Sequence, residues 1–215
     1  MGLAQEGAAD TTGQGDSESP RAVRRETVVR WLAGPLGGAA ALSAAGGVAA
    51  SVAMGRSASA LTHRDRQVVT FLARLEILEV SFYAAALREG KLTGEARQFA
   101  EVAARQERAH LHDLSELLGG GVPTAGGHRF THALASRASF IGAAVQIEDT
   151  VLAAYNGQAE NMSRRTLGRI ARIMSVESRH AAWARGLAGK LPAPVAADVA
   201  IDANAAMKAL RPLLG

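Results

Sequence analysis

The chain has 215 residues, no cysteine and few aromatic side chains, which is enough for one domain with a proper core. The lack of cysteine excludes disulfides and thiolate metal sites, so any metal site has to use carboxylate and imidazole, which suit iron, manganese or zinc. The formal net charge is +4, and residues 1–60 carry five basic and five acidic side chains. The charge excess and all six histidines therefore lie in residues 61–215. Basic patches interleaved with aromatic residues are missing, so we expect no nucleic-acid binding.

The first sixty residues have the order of an export signal. Residues 1–23 are rich in Gly, Ala, Ser, Thr and acids without apolar periodicity, which predicts disorder. A basic segment containing Arg24 and Arg25 is followed by an uncharged run over 31–55 and by the small residues ASA at 58–60. A basic start, an apolar middle and a small-residue cleavage site predict an export signal. The paired arginines resemble a twin-arginine signal.

Two outcomes stay open for this segment. Cleavage after Ala60 would release a mature chain, whereas an uncleaved run is long enough to anchor the protein in a membrane. The many glycines and alanines make that run a weak spanning helix. Thr27 also stands where twin-arginine signals usually have a large apolar residue. We expect a protein exported by the twin-arginine machinery to the periplasm, cell wall or exterior, with membrane anchoring as the alternative.

Four later segments show apolar residues at helical spacing, and none shows strand-like alternation of useful length. The predicted helices span 64–89, 94–118, 132–160 and 164–188. Thr93 and Ser163 are the predicted N-caps of the second and fourth helices, and glycines follow the first and second. The sequence therefore predicts an all-α domain over residues 61–190.

The lengths of the links predict the topology. The links near 90–93 and 161–163 are short, so each joins antiparallel neighbours. The Gly-rich link 119–131 can extend to about 43 Å, and a 25-residue helix is about 38 Å long. This link can therefore run the length of the bundle and start the third helix parallel to the second. The prediction is a four-helix bundle of two antiparallel hairpins joined by one long crossover.

Residues 191–215 form the predicted C-terminal tail. Two prolines are followed by a short helical pattern near 199–210. We expect a fifth helix whose Leu210, Leu213 and Leu214 pack across the bundle or against a partner.

Carboxylate and imidazole groups interrupt each apolar stripe, and they need partners because an unpaired buried charge is costly. The two halves of the domain repeat one pattern: a Glu, a Tyr seven residues later, and Glu-x-x-His on the next helix. The first half has Glu76, Tyr83, Glu107 and His110, and the second has Glu148, Tyr155, Glu177 and His180. In each Glu-x-x-His the two side chains lie on one side of the helix.

Four helices facing one axis would bring four carboxylates and two imidazoles together. Two divalent cations would balance that charge, whereas without metal the carboxylates repel one another and some hold protons. One Glu-x-x-His is a weak signal, but the chain after residue 60 has two, both mid-helix and both on an apolar stripe. The pattern favours a two-metal carboxylate site. The alternative is a set of polar residues paired by hydrogen bonds in an inert bundle.

Four passages carry a resemblance to a known family: LARLEILEVSFYAAAL (72–87), RQERAHLHDL (105–114), AAVQIEDTVLAAYNG (143–157) and IMSVESRHAAW (173–183). Over residues 64–188 the chain resembles the ferritin-like superfamily. More narrowly, it resembles exported bacterial ferritin-like domain proteins with twin-arginine signals, some of them labelled desiccation-related.

This resemblance implies six ligands for two divalent ions of iron or manganese: Glu76, Glu107, His110, Glu148, Glu177 and His180. It also implies that Glu107 and Glu177 bridge the metals. Tyr83 and Tyr155 would donate hydrogen bonds that hold the ligating carboxylates in place.

Other polar residues have less certain positions. Glu79 lies one turn after Glu76, where the second half has Val151. It either hydrogen-bonds within the site or faces solvent. His112 should lie on the surface, and His128 and His132 are expected in or beside the crossover.

A site of this kind would act on dioxygen or hydrogen peroxide through redox change at two metals. We expect ferroxidase-like or catalase-like chemistry on ferrous iron, dioxygen or hydrogen peroxide. The alternative from another class is a metal-binding or stress- and desiccation-protective structural protein without turnover. A storage cage is disfavoured, because basic residues outnumber acidic ones outside the proposed ligands after residue 60. Metal identity, substrate and assembly into a homo-oligomer stay open.

Overall fold

The computed structural model describes residues 61–124 and 127–214. Its helices are α1 (His63–Glu89), α2 (Gly94–Leu118), α3 (Arg137–Gln158), α4 (Arg164–Leu187) and α5 (Ala203–Leu210), with single 3₁₀ turns at Ala159–Asn161 and Arg211–Leu213. The described residues contain no strand, so the predicted all-α class is confirmed. The predicted export signal lies outside these residues, and the boundaries at 60 and 190 stay predictions. In the described ranges, no helix has the length and apolar character needed to cross a membrane.

Local signals set most of the helix ends. Gly90 and Gly119 end α1 and α2 in the left-handed backbone region, with φ of 68° and 76°. A side chain with a Cβ adopts that region at a cost, and glycine does not. Ser163 caps α4 as predicted, because its hydroxyl accepts a hydrogen bond from the Thr166 N–H. Thr93 precedes α2 without a side-chain capping bond.

The start of α3 differs from the sequence prediction. We expected the helix from residue 132, but it begins at Arg137. Residues 131–136 form turns instead, with the Leu134 N–H donating to the Phe130 carbonyl at 2.9 Å. The reason is the Ser136 hydroxyl, which accepts from the Ser139 N–H at 3.1 Å and so caps the helix there. The crossover therefore covers residues 119–136.

Contacts between helices give the directions of the chain. Tyr83 bonds Glu148 and Tyr155 bonds Glu76, so α1 and α3 run in opposite directions. Trp183 near the end of α4 donates to Glu95 at the start of α2, so these two helices are also antiparallel. Since Arg66 near the start of α1 bonds the Leu118 carbonyl at the end of α2, that hairpin is antiparallel as well. It follows that α2 and α3 are parallel, as the long crossover predicted.

The C-terminal segment packs back onto α3. Residues 191–200 are exposed, and the Ile201 N–H then donates to the Ala153 carbonyl of α3 at 3.0 Å. A Cβ on Gly157 would lie 1.9 Å from the Ile201 carbonyl oxygen, so the approach requires glycine. The predicted fifth helix is present, but it begins at residue 203. Its Leu210 is fully buried, and Leu213 and Leu214 pack against the core.

We expect Gly157→Ala to displace residues 199–214 from α3, because the added methyl group overlaps backbone that cannot move aside cheaply. The cost should be about 1–3 kcal/mol, the range typical of overpacking. Hydrogen–deuterium exchange should become faster at Ile201 and in α5, while α1 and α2 stay protected. Gly142→Ala in the same helix is the matched control, because nothing lies within 4 Å of its added Cβ. Equal exchange in the two variants would contradict this account.

Candidate metal centre

The six side chains singled out in the sequence meet in the middle of the bundle. Each of the four long helices contributes: α1 supplies Glu76, α2 supplies Glu107 and His110, α3 supplies Glu148, and α4 supplies Glu177 and His180. The four carboxylates have no exposed surface, and the two histidines are 6% and 2% exposed. The helical repeat placed each residue on the inner face of its own helix, and the bundle brings those faces together.

The six residues form two overlapping groups. The first group is Glu76, Glu107, His110 and Glu177, and the second is Glu107, Glu148, Glu177 and His180. Within each group, one oxygen or nitrogen atom per residue lies within 4.8 Å of all the others. One cation could therefore contact a whole group, and Glu107 and Glu177 belong to both.

The two shared carboxylates divide their oxygens between the histidines. Glu107 places Oε2 at 2.9 Å from His110 Nδ1 and Oε1 at 2.7 Å from His180 Nδ1. Glu177 places Oε1 at 2.8 Å from His110 Nδ1 and Oε2 at 3.9 Å from His180 Nδ1. A carboxylate with one oxygen toward each of two positions has the arrangement that bridges two cations.

The outer carboxylates are held by the two tyrosines. Tyr83 of α1 donates its hydroxyl to Glu148 Oε1 of α3, and Tyr155 of α3 donates to Glu76 Oε1 of α1. The other oxygens face the site: Glu76 Oε2 is 3.5 Å from His110 Nδ1, and Glu148 Oε2 is 3.8 Å from His180 Nδ1. Each outer carboxylate thus has one oxygen fixed and one available.

The chemistry of this donor set fits metal ions. Glu76 Oε2, Glu148 Oε2 and Glu177 Oε2 have no hydrogen-bond partner among the described residues, and Glu107 Oε1 and Glu177 Oε1 contact imidazole nitrogens at 2.7 and 2.8 Å. Buried polar atoms are normally paired, so such a convergence needs an explanation. Burial alone does not produce it, because the buried carboxylate of Asp65 accepts from the Ser163 N–H and the Thr62 hydroxyl. Carboxylate oxygens with imidazole nitrogens suit divalent iron or manganese.

Burial also changes the protonation of the metal-free cluster. The pKa of Glu107 and of Glu177 rises from 4.5 to about 8, and burial is the largest cause of each rise. Burial also raises the pKa of Glu148. Burial lowers the pKa of His110, but contacts with Glu107, Glu177 and Glu76 outweigh it and raise that pKa from 6.5 to about 12. Protons therefore occupy positions at neutral pH that cations could take instead.

A ferritin-like domain model matches residues 64–190, which span α1 to α4. This protein belongs to the ferritin-like domain family. No curated protein matches the chain. The family and the helical-bundle fold predicted from the sequence are confirmed. Ferritin-like membership and the buried Glu/His groups are together compatible with metal binding, while the role of each residue as a ligand stays a prediction.

Of the two alternatives for Glu79 in this ferritin-like domain, the solvent-facing one is wrong, and a hydrogen-bonding role within the site stays a prediction. Its side chain has no exposed surface, and neither oxygen has a hydrogen-bond partner among the described residues. Burial raises its pKa most, followed by the charges of Glu107 and Glu177. Glu79 is thus a fifth carboxyl group beside the cluster. Sequence reasoning left its face undecided, because α1 is buried on most of its circumference.

One residue of the site was missed in the sequence. His180 Nε2 donates to the side-chain oxygen of Gln106 at 2.5 Å, which leaves Nδ1 as the ring nitrogen that faces the carboxylates. Gln106 lies next to Glu107, but nothing local predicts a partner 74 residues away. The other histidines follow expectation: His112 and His132 are exposed, and His128 lies in the crossover.

We expect the metal-free protein to lose stability as the pH rises. Between 4.5 and about 8, folded Glu107 and Glu177 keep protons that the unfolded chain releases, so the free energy of unfolding falls with pH. The contribution of His110 is complete below 6.5 and is lost as the pH rises toward about 12, so it has the same sign. Thermal unfolding followed by circular dichroism should give a lower Tm at about pH 8 than at about pH 5.

Added Mn²⁺ should reverse this loss at about pH 8, because a cation then replaces the protons. The variant with Glu107→Gln and Glu177→Gln is the control, and its Tm should depend less on pH. A metal-free protein whose Tm increases across this interval would contradict the assignment.

Proposed function

We propose that this protein is a dinuclear-metal oxidoreductase that holds two ions of iron or manganese and acts on ferrous iron, dioxygen or hydrogen peroxide. One observation carries the proposal: Glu107 and Glu177 each present one oxygen to the His110 position and one to the His180 position. A site for a single cation would not need two carboxylates divided in this way. Membership of the ferritin-like domain family supports the same reading.

The side chains have separable roles in this proposal. Glu107 and Glu177 would hold both cations, with Glu76 and His110 completing one position and Glu148 and His180 the other. Bound iron or manganese would supply the change between divalent and trivalent states that none of these side chains provides. Tyr83 and Tyr155 fix the outer carboxylates by their hydroxyl protons, so each carboxylate keeps one oxygen for a cation. The apolar surroundings exclude bulk water and strengthen these electrostatic interactions.

The second candidate function is metal binding without turnover. The observation that favours it is the burial of the centre: no carboxylate of the cluster is exposed, and His110, at 6%, is the most exposed member. A peroxide or dioxygen molecule would have to pass between the helices to reach the cations. A structural or stress-protective metal protein would need no such path.

Metal loading and turnover tests separate the two functions. Protein loaded with iron or manganese should contain about two ions per chain, as carboxylate centres of helix bundles do. It should evolve dioxygen from hydrogen peroxide or oxidise ferrous iron. The double variant with Glu107→Ala and Glu177→Ala should lose both the metal and the activity. His112→Ala, which changes an exposed histidine two residues from His110, is the matched control and should keep both.

Each alternative has its own outcome in these measurements. Two bound ions without turnover on either substrate would support the metal-binding function and exclude the oxidoreductase. Metal content that survives the double variant would show that the cations are held elsewhere.

We also propose that residues 1–60 direct export through the twin-arginine route. The support is Arg24 and Arg25, the uncharged run at 31–55 and the small residues at 58–60. Export of an already folded domain would allow the metal to be loaded in the cytoplasm. This matters because copper or zinc would otherwise occupy such a site on affinity alone.

Replacement of Arg24 and Arg25 by lysine should abolish export, because this route requires the arginine pair itself. The substitution keeps the positive charge, so a loss of export cannot be due to a change in charge. Cell fractionation should then show the precursor retained in the cytoplasm. Arg21→Lys is the control and should be exported normally. Export of the double-lysine variant at the normal rate would exclude the twin-arginine route.

A further inference from the structure

The two halves of the cluster match in their proposed ligands but differ in two neighbouring polar residues. Glu79 follows Glu76 by three residues, and the corresponding residue after Glu148 is Val151. Gln106 precedes Glu107, and the corresponding residue before Glu177 is Val176. At two of the positions where the halves differ, the first half has a polar side chain and the second has a valine.

Gln106 acts on one histidine only. Its side-chain oxygen accepts a hydrogen bond from His180 Nε2 at 2.5 Å, which fixes both the tautomer and the orientation of that ring. Val176 has no polar atom in its side chain and can offer His110 no such bond. His180 is also the more buried imidazole, with 2% exposure against 6% for His110. The imidazole of the Glu148–His180 position is thus preorganised, and the other is less so.

Glu79 adds a buried carboxyl group that the second half does not match. It lies on α1 between Glu76 and Tyr83, and the Tyr83 hydroxyl bonds Glu148. Both oxygens of Glu79 are buried without a hydrogen-bond partner among the described residues. A cation nearby is the group that would compensate such a carboxylate.

We propose that the two metal positions are inequivalent, that the Glu148–His180 position fills first, and that Gln106 is the residue that distinguishes it. This inference rests on the proposed two-metal function. Gln106 is a positioning residue that acts through His180. Glu79 is a buried carboxyl group without a counterpart in the second half, and it is altered separately in the test.

Stepwise binding of Mn²⁺ tests this without any activity assay. The two positions share Glu107 and Glu177, so the first ion weakens binding of the second even where the positions are alike, and the reference is therefore the Gln106→Val variant. In the unaltered protein we expect a further separation of at least about tenfold, the usual effect of one outer hydrogen bond on metal affinity. Isothermal titration calorimetry would measure both constants. Electron paramagnetic resonance should show isolated Mn²⁺ after the first equivalent and a coupled pair after the second.

Variants that make the halves alike provide the decisive comparison. Gln106→Val gives the first half the residue of the second and should remove this added separation, and Glu79→Val tests the other difference between the halves. His180→Ala should remove the tighter step, and His110→Ala should remove the weaker one. Glu79→Gln keeps the shape of the side chain, so a change shared by Glu79→Gln and Glu79→Val reports charge rather than packing. Asp65→Asn, which alters a buried carboxyl outside the cluster, should leave both constants unchanged.

The outcomes separate this inference from the function on which it rests. Two Mn²⁺ ions bound with the same ratio of constants in the unaltered protein and in Gln106→Val, in protein that turns over peroxide, would overturn the inference and leave the function intact. Loss of the tighter step in His110→Ala would also overturn it. Failure of the unaltered protein to bind a second ion would overturn both proposals.

Discussion

Burial of carboxylates without counter-charges is the constraint on which this structure depends. Glu76, Glu79, Glu107, Glu148 and Glu177 have no exposed surface, in a core made mainly of Ala, Leu, Ile, Val and aromatic side chains. An unpaired buried carboxylate is costly, so this cluster cannot be explained by stability alone. Protons, imidazolium or bound cations have to supply the missing positive charge. The domain's stability is therefore linked to both pH and metal.

A comparison of Asp65 with Glu177 shows that the surroundings of a buried carboxyl group decide the direction of its pKa shift. Burial raises the pKa of Asp65, but hydrogen bonds from the Ser163 N–H and from the Thr62, Ser163 and Thr166 hydroxyls lower it overall. Burial raises the pKa of Glu177, and the charges of neighbouring carboxylates raise it further. Asp65 ties the start of α1 to the start of α4 and is satisfied by protein donors. The central carboxylates lack enough donors, which is typical of a binding site rather than a fold-stabilising contact.

The repeated Glu and Tyr residues link α1 and α3 through two matching hydrogen bonds. Because α1 and α3 are antiparallel, a Glu and a Tyr seven residues apart on each helix meet their counterparts at two levels. Each tyrosine therefore orients the outer carboxylate of the opposite helix, and any sliding of α1 along α3 would disturb both levels together. This reciprocity makes the two outer carboxylates rigid, while the breaks in the repeat at Glu79 and Gln106 make their surroundings unequal.

The sequence by itself determined the four long helices, their directions and the inner face of each Glu-x-x-His, because helical periodicity and link length are local properties. It misplaced the start of α3, since the cap at Ser136 competes with the periodic pattern that precedes it. Only the tertiary structure decided that each tyrosine serves the opposite helix, that Gln106 backs His180, and that Glu79 is buried. Periodicity fixes the direction of a side chain on its own helix. The partner it meets depends on how neighbouring helices are rotated and offset, and that is set by packing across the whole bundle.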